Sequence, residues 1–159
     1  RDAPLYHGTT IGRLERILNA NKLVAGIENA RGTYEVVRKN VSFTRKYRFA
    51  YEHARNSSFP TGKTYAIIEI DQRKLNQNYK LMPFNFFNSR VFNLKPGSEP
   101  ARAYDGGEFE EYTDRDVTNL QRYITAIYVD EDEIDKLKPY IPSWAAQLLK
   151  INKESTNVR

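Results

Sequence analysis

The chain has no cysteine among its 159 residues. Disulfides, thiolate-bound zinc and a thiol nucleophile are therefore excluded. Histidine is nearly as scarce. His7 and His53 are the only two, too few for a histidine-rich metal centre. No apolar run approaches the roughly 20 residues that span a bilayer. There is no secretory signal pattern, no dinucleotide-binding GxGxxG, no internal repeat and no low-complexity tract. The first residues are Arg1-Asp2 rather than Met, as in a trimmed fragment. The expected location is the cytoplasm.

What is present suits one globular domain with a real core. Apolar residues make up 40% and charged residues 28%, both ordinary for a folded protein. Eleven tyrosines and eight phenylalanines supply amphipathic rings for a core, a ligand groove or both. The net charge is 25 − 20 = +5. The basic residues are dispersed, with small clusters at Arg38-Lys39 and Arg45-Lys46-Tyr47-Arg48. Charge alone therefore favours a solvated basic surface over a nucleic-acid footprint.

Hydrophobic periodicity places the elements. Leu5-Tyr6-His7 reads as a strand ending at Gly8, after which Thr9 or Thr10 caps a helix. Ile11, Leu14, Ile17 and Leu18 give Ile11–Asn21 one apolar face. Residues 26–40 read as a loop, Val41–Thr44 as a strand and Arg45–Ala54 as a helix. Thr64–Ile70 is a β-branched strand, and Asp71 caps a helical turn reaching Leu75. Residues 79–107 are irregular, broken by prolines and Gly106-Gly107. Glu108–Tyr112 and Tyr123–Val129 read as strands. Helices are expected over Glu131–Leu137 and Ser143–Ile151, with Ser143 capping the second. The expected organisation is one α+β domain over 1–151, followed by a polar tail at 152–159.

Three motifs carry chemistry-bearing side chains. Tyr6-His7-Gly8-Thr9 puts an imidazole at a strand end beside a glycine whose backbone a flat ligand can approach. Taken alone, a histidine finishing a strand before a turn is an equal reading. Ser42-Phe43-Thr44-Arg45 offers short hydroxyls that can hold a ligand or orient a carboxylate, although ordinary strands carry such residues too. In Glu108-Phe109-Glu110-Glu111, Glu108 and Glu110 share one face of a strand, and Phe109 and Glu111 the other. Such carboxylates occur where positive charge develops, and also on solvated edge strands.

In this order the three motifs resemble the ADP-ribosyltransferases. His-Gly-Thr is similar to the element of the diphtheria-toxin and poly(ADP-ribose) polymerase branch. Ser42-Phe43-Thr44 and Glu108-Phe109-Glu110 are similar to the Ser-Thr-Ser and Glu-x-Glu of the arginine-modifying toxins. The first-strand residue is His where that second branch carries Arg. The pattern also resembles bacteriophage proteins, for which the location would be a host cytoplasm.

The resemblance implies an ADP-ribosyltransferase-like sheet of short strands around an NAD cleft. It implies mono-ADP-ribosyl transfer with NAD as cosubstrate and no metal. Glu110 would stabilise the charged ribose, and Glu108 would hold an arginine acceptor. His7, Gly8, Thr9, Ser42 and Thr44 would line the NAD site. Among Tyr47, Phe49 and Tyr51, Tyr51 is favoured to stack on nicotinamide. Arg102 and Tyr104, in the loop before Glu-x-Glu, would touch a macromolecular acceptor. A protein is favoured for that acceptor and nucleic acid is left open; no membrane is expected. Two other functions compete: a non-catalytic module keeping the same fold, and an NAD-dependent RNA 2′-phosphotransferase, which would need more basic residues and no Glu-x-Glu.

Overall fold

A computed structural model describes residues 3–25, 41–58, 62–83 and 110–156. Its strands are β1 (Leu5–Thr10), β2 (Lys22–Leu23), β3 (Val41–Thr44), β4 (Tyr65–Ile70), β5 (Leu81–Pro83), β6 (Glu110–Thr113), β7 (Val117–Thr118), β8 (Ile124–Val129) and β9 (Leu149–Ile151). The helices are α1 (Ile11–Ala20), α2 (Tyr47–Ser57), α3 (Gln72–Asn78), α4 (Ile134–Leu137) and α5 (Ser143–Ala146). Seven strands form one sheet in the order β5-β6-β3-β1-β4-β8-β9, and β2 and β7 form a separate ribbon. Every pairing in the large sheet is antiparallel except β8 with β9.

The pleat sorts the side chains into two layers. Leu5, Ala66, Ile68, Ile70, Ile127, Val129, Val41 and Phe43 enter the larger core, where Ile11, Leu14 and Leu18 of α1 join them. Those three α1 residues are buried, as their helical spacing predicts. Asn21 ends α1 in the left-handed conformation at φ 55°, and its N–H bonds back to the carbonyls of Ile17 and Leu18. The opposite layer is smaller and rich in tyrosine. It contains Tyr6, Ala50, Ala54, Tyr65, Ile67, Ala126 and Tyr128, with Tyr47 and Tyr51 packed on it.

Several boundaries differ from the sequence reading. Strand β1 continues through Gly8 to Thr10 because all six of its residues pair with β4. Thr10 then stands at the N-cap of α1 without a capping side-chain bond. The second expected helix stops at Ala146, with Pro142 rather than Ser143 at its N-cap. From Leu149 the chain instead runs parallel to β8, with Leu149 opposite Ile127. Strand pairing overrides the helical pattern there.

The segment expected to be a polar tail begins with Asn152, which is 1% exposed. Its N–H donates to the Val129 carbonyl at 2.9 Å. Its amide donates to the Tyr65 hydroxyl at 3.0 Å, and its side-chain oxygen accepts from the Tyr47 hydroxyl. A buried amide satisfied on this many sides is structural, not fraying. Among the described residues no helix is long and apolar enough to cross a membrane.

Burial pushes the Tyr65 phenol up from 10.0 to about 12. It raises Tyr6, Tyr47 and Tyr128 as well, with the Glu69 carboxylate adding to the effect on Tyr6 and Tyr128. Below pH 10 the folded and unfolded states both keep these protons, and the stability linked to them is fully present. Above pH 10 the unfolded chain loses protons that the folded chain retains, so this stability is lost as pH rises through the folded values. Tyrosinate absorbance at pH 11 should therefore increase sharply when the native chain is unfolded with denaturant. No increase on unfolding would mean that the phenols of this layer are already ionised in the folded protein.

Candidate functional site

The sheet opens between β1 and β3. These strands share a single register pair, Tyr6 with Thr44, although four further residues of β1 run on to Thr10. Where the ladder stops, the His7 ring takes over. Its Nδ1–H donates to the Ser42 carbonyl at 2.8 Å. A carbonyl can only accept, so Nδ1 carries a proton in this bond. The ring also meets Phe43, with centroids 5.9 Å apart.

On the far side of β3 lies β6, with Phe43 opposite Glu111 and Thr44 opposite Glu110. Glu111 is buried at 8% exposure. Its Oε1 accepts from Nη2 of Arg45 at 2.5 Å. Val41, Phe43 and Arg45 alternate along one face of β3 and its continuation, so His7, Phe43, Arg45 and Glu111 belong to one surface of the opened sheet. Nε of Arg45 is buried and has no hydrogen-bond partner among the described residues. A guanidinium carries its donors in a fixed fork, and a buried donor without an acceptor suits a ligand oxygen.

The expected residues divide between the two faces. His7 and Thr9 lie on the Phe43 side; Thr9 is buried. Gly8 lies on the α2 side. There an added Cβ would fall 2.4 Å from the Ala50 carbonyl oxygen and 3.2 Å from Cβ of Ala54. The missing side chain thus admits helix α2, leaving only the edge of β1 open to a ligand. Ser42 meets His7 through its carbonyl. The Thr44 hydroxyl accepts from the Lys46 N–H at 3.1 Å, just ahead of α2. Tyr51 packs edge-on against Tyr65, with centroids 5.2 Å apart, in the tyrosine layer rather than on the His7 surface.

Glu110 lies in β6 one register step from Glu111. Glu108, Arg102 and Tyr104 lie outside the described residues. Sequence reasoning missed the Arg45–Glu111 pair, because the register between β3 and β6 is needed to see that residues 66 apart meet.

This arrangement is an α+β fold of the ADP-ribosyltransferase type. No protein-family model and no curated protein sequence matches the chain; solved structures do. The chain is similar to DarT of Thermus sp. 2.9 in complex with NAD+, with a TM-score of 0.64, 13% identity and 97% of each chain covered. The same DarT in complex with ADP-ribosylated single-stranded DNA aligns at TM-score 0.58 and 12% identity, covering 96% of this chain and 95% of that one. DarTG of Thermosipho africanus in complex with ADP-ribose aligns at TM-score 0.58 and 16% identity, over 96% of this chain and 50% of that one. At such identities the likeness is one of fold.

Two glycines test the packing described above. Gly8→Ala forces a methyl group into the Ala50 backbone and should cost about 1–3 kcal/mol in denaturant unfolding. Gly12, in α1, has open space where a Cβ would stand, with no atom within 4 Å. Gly12→Ala should therefore gain about 0.5–1 kcal/mol from helix propensity. Equal effects of the two substitutions would contradict the close approach of α2 to β1.

Proposed function

We propose that this chain is an NAD-dependent mono-ADP-ribosyltransferase that cleaves the nicotinamide–ribose bond and transfers ADP-ribose to a macromolecular acceptor. The observation that carries this reading is the Arg45–Glu111 pair, set across Phe43 from His7 on one face of an ADP-ribosyltransferase-like sheet. Departure of nicotinamide builds positive charge on the ribose, and a fixed carboxylate stabilises it.

Glu111 is the carboxylate that shares a surface with His7, so we assign it this role ahead of Glu110, to which the sequence resemblance alone points. Arg45 positions the Glu111 carboxylate, and its buried Nε is a donor toward the cosubstrate. His7, held by the Ser42 carbonyl, is the side chain assigned to a ribose hydroxyl. The unladdered edge of β1 at Gly8 suits pairing with the nicotinamide amide, with Thr9 beside it. No metal enters this reading.

For the acceptor, a single-stranded nucleic acid is favoured. The support is the solved DarT complex with ADP-ribosylated single-stranded DNA; the net charge of +5 is compatible with such an acceptor. The arginine-acceptor alternative rests on Glu108 in the sequence. In either case Arg102 and Tyr104 remain the proposed contacts of the loop before β6.

The test is labelled NAD with single-stranded DNA in one arm and a protein extract in the other. Glu111→Gln should lower transfer at least about a hundredfold, about 2.7 kcal/mol of transition-state stabilisation, while the chain still folds and binds NAD. Glu110→Gln should lose far less. The opposite order would return the role to Glu110, and unchanged turnover in both would refute an enzymatic reading in favour of a binding module. Tyr104→Ala should reduce transfer to the macromolecule more than hydrolysis of NAD by water, since both reactions expel nicotinamide but only one needs the acceptor. Equal losses in the two assays would remove this loop as the acceptor contact.

A further inference from the structure

On the α2 side of the sheet, away from the Arg45–Glu111 pair, three tyrosines from three elements enclose a cation. Tyr6 of β1 meets Tyr47 of α2 edge-on at 5.4 Å, and Tyr47 meets Tyr128 of β8 edge-on at 5.2 Å. The Lys153 ammonium lies 5.6, 5.2 and 5.0 Å from the centroids of Tyr6, Tyr47 and Tyr128. All three distances fall within cation–π range. Glu69 completes the enclosure. Its Oε2 lies 3.8 Å from the ammonium and accepts from the Tyr128 hydroxyl at 3.0 Å.

Perpendicular rings that turn their electron-rich faces to one point, with a carboxylate at the wall, have the chemistry that selects an organic ammonium ion. The Lys153 side chain is 48% exposed, so the cage opens to solvent and its occupant can exchange. The occupant is delivered by the backbone. Asn152 is anchored to Val129, Tyr47 and Tyr65, and the Lys153 N–H donates to the Tyr47 hydroxyl at 3.1 Å.

We propose that Tyr6, Tyr47, Tyr128 and Glu69 form a binding cage for an alkylammonium group, filled in cis by Lys153, and that the filled cage clamps α2 to the sheet. The clamp reaches the cleft strand directly, because Tyr6 belongs to β1 and α2 rests on Gly8. The same cage accepts a quaternary ammonium once Lys153 is withdrawn.

The test uses the full chain and tetramethylammonium chloride as probe, with sodium chloride at equal ionic strength as control. Lys153→Ala should melt about 2–4 °C lower than wild type, and tetramethylammonium should restore this saturably where sodium does not. Wild type, its cage filled, should respond weakly, and the Lys153→Ala chain carrying Tyr128→Leu should not respond. A second pair of variants guards against a Lys153→Ala chain that does not fold. Lys153→Arg should keep the wild-type melting temperature and Lys153→Gln should lose it. Identical responses to the two salts in Lys153→Ala, or equal melting temperatures for the Arg and Gln variants, would overturn the cage. None of these readouts uses NAD turnover, so they stand or fall apart from the proposed activity.

Discussion

Helix α2 crosses strand β1 so closely that the Ala50 carbonyl oxygen stands 2.4 Å from the place a Cβ on residue 8 would take. Much of the molecule hangs on that approach. It requires glycine at position 8, which faces the Ala50 backbone and the Ala54 methyl group. It brings Tyr47 and Tyr51 onto the sheet, where they pack with Tyr6, Tyr65 and Tyr128.

The two faces of the sheet divide the work. The α2 face is held by aromatic packing and by hydroxyls bonded to Asn152 and Glu69, an arrangement that rigidifies because these polar groups satisfy one another. The other face holds the half-exposed Arg45 against a nearly buried Glu111. An ion pair in that position is no great source of stability, since desolvation offsets most of the attraction. Its value is orientation: the bond from Nη2 of Arg45 fixes where the Glu111 carboxylate stands.

The strands 41–44, 65–70 and 124–129 were legible because each carries its own β-branched or alternating pattern. Helix α1 was legible because four apolar residues recur at its spacing. Strands β2, β5, β7 and β9 were not, being two or three residues long and defined by a partner rather than by their own composition. The burial of Asn152 was hidden for the same reason: a polar residue reads as solvated until its partners, here on β4, β8 and α2, are known. At the candidate site, the histidine, the glycine and the neighbourhood of the glutamates could be read from residue type. Which glutamate shares a surface with His7 could not, because that depends on strand register.

Register also bears on the two adjacent glutamates of β6. A slip of one residue against β3 turns every side chain of a strand to the other face. With Glu110 next to Glu111, a slip toward Glu110 would replace one carboxylate opposite Phe43 by another instead of removing it. The duplicated acid is thus a one-sided form of mutational robustness: a slip in one direction keeps a carboxylate opposite Phe43, whereas a slip in the other brings Tyr112 there.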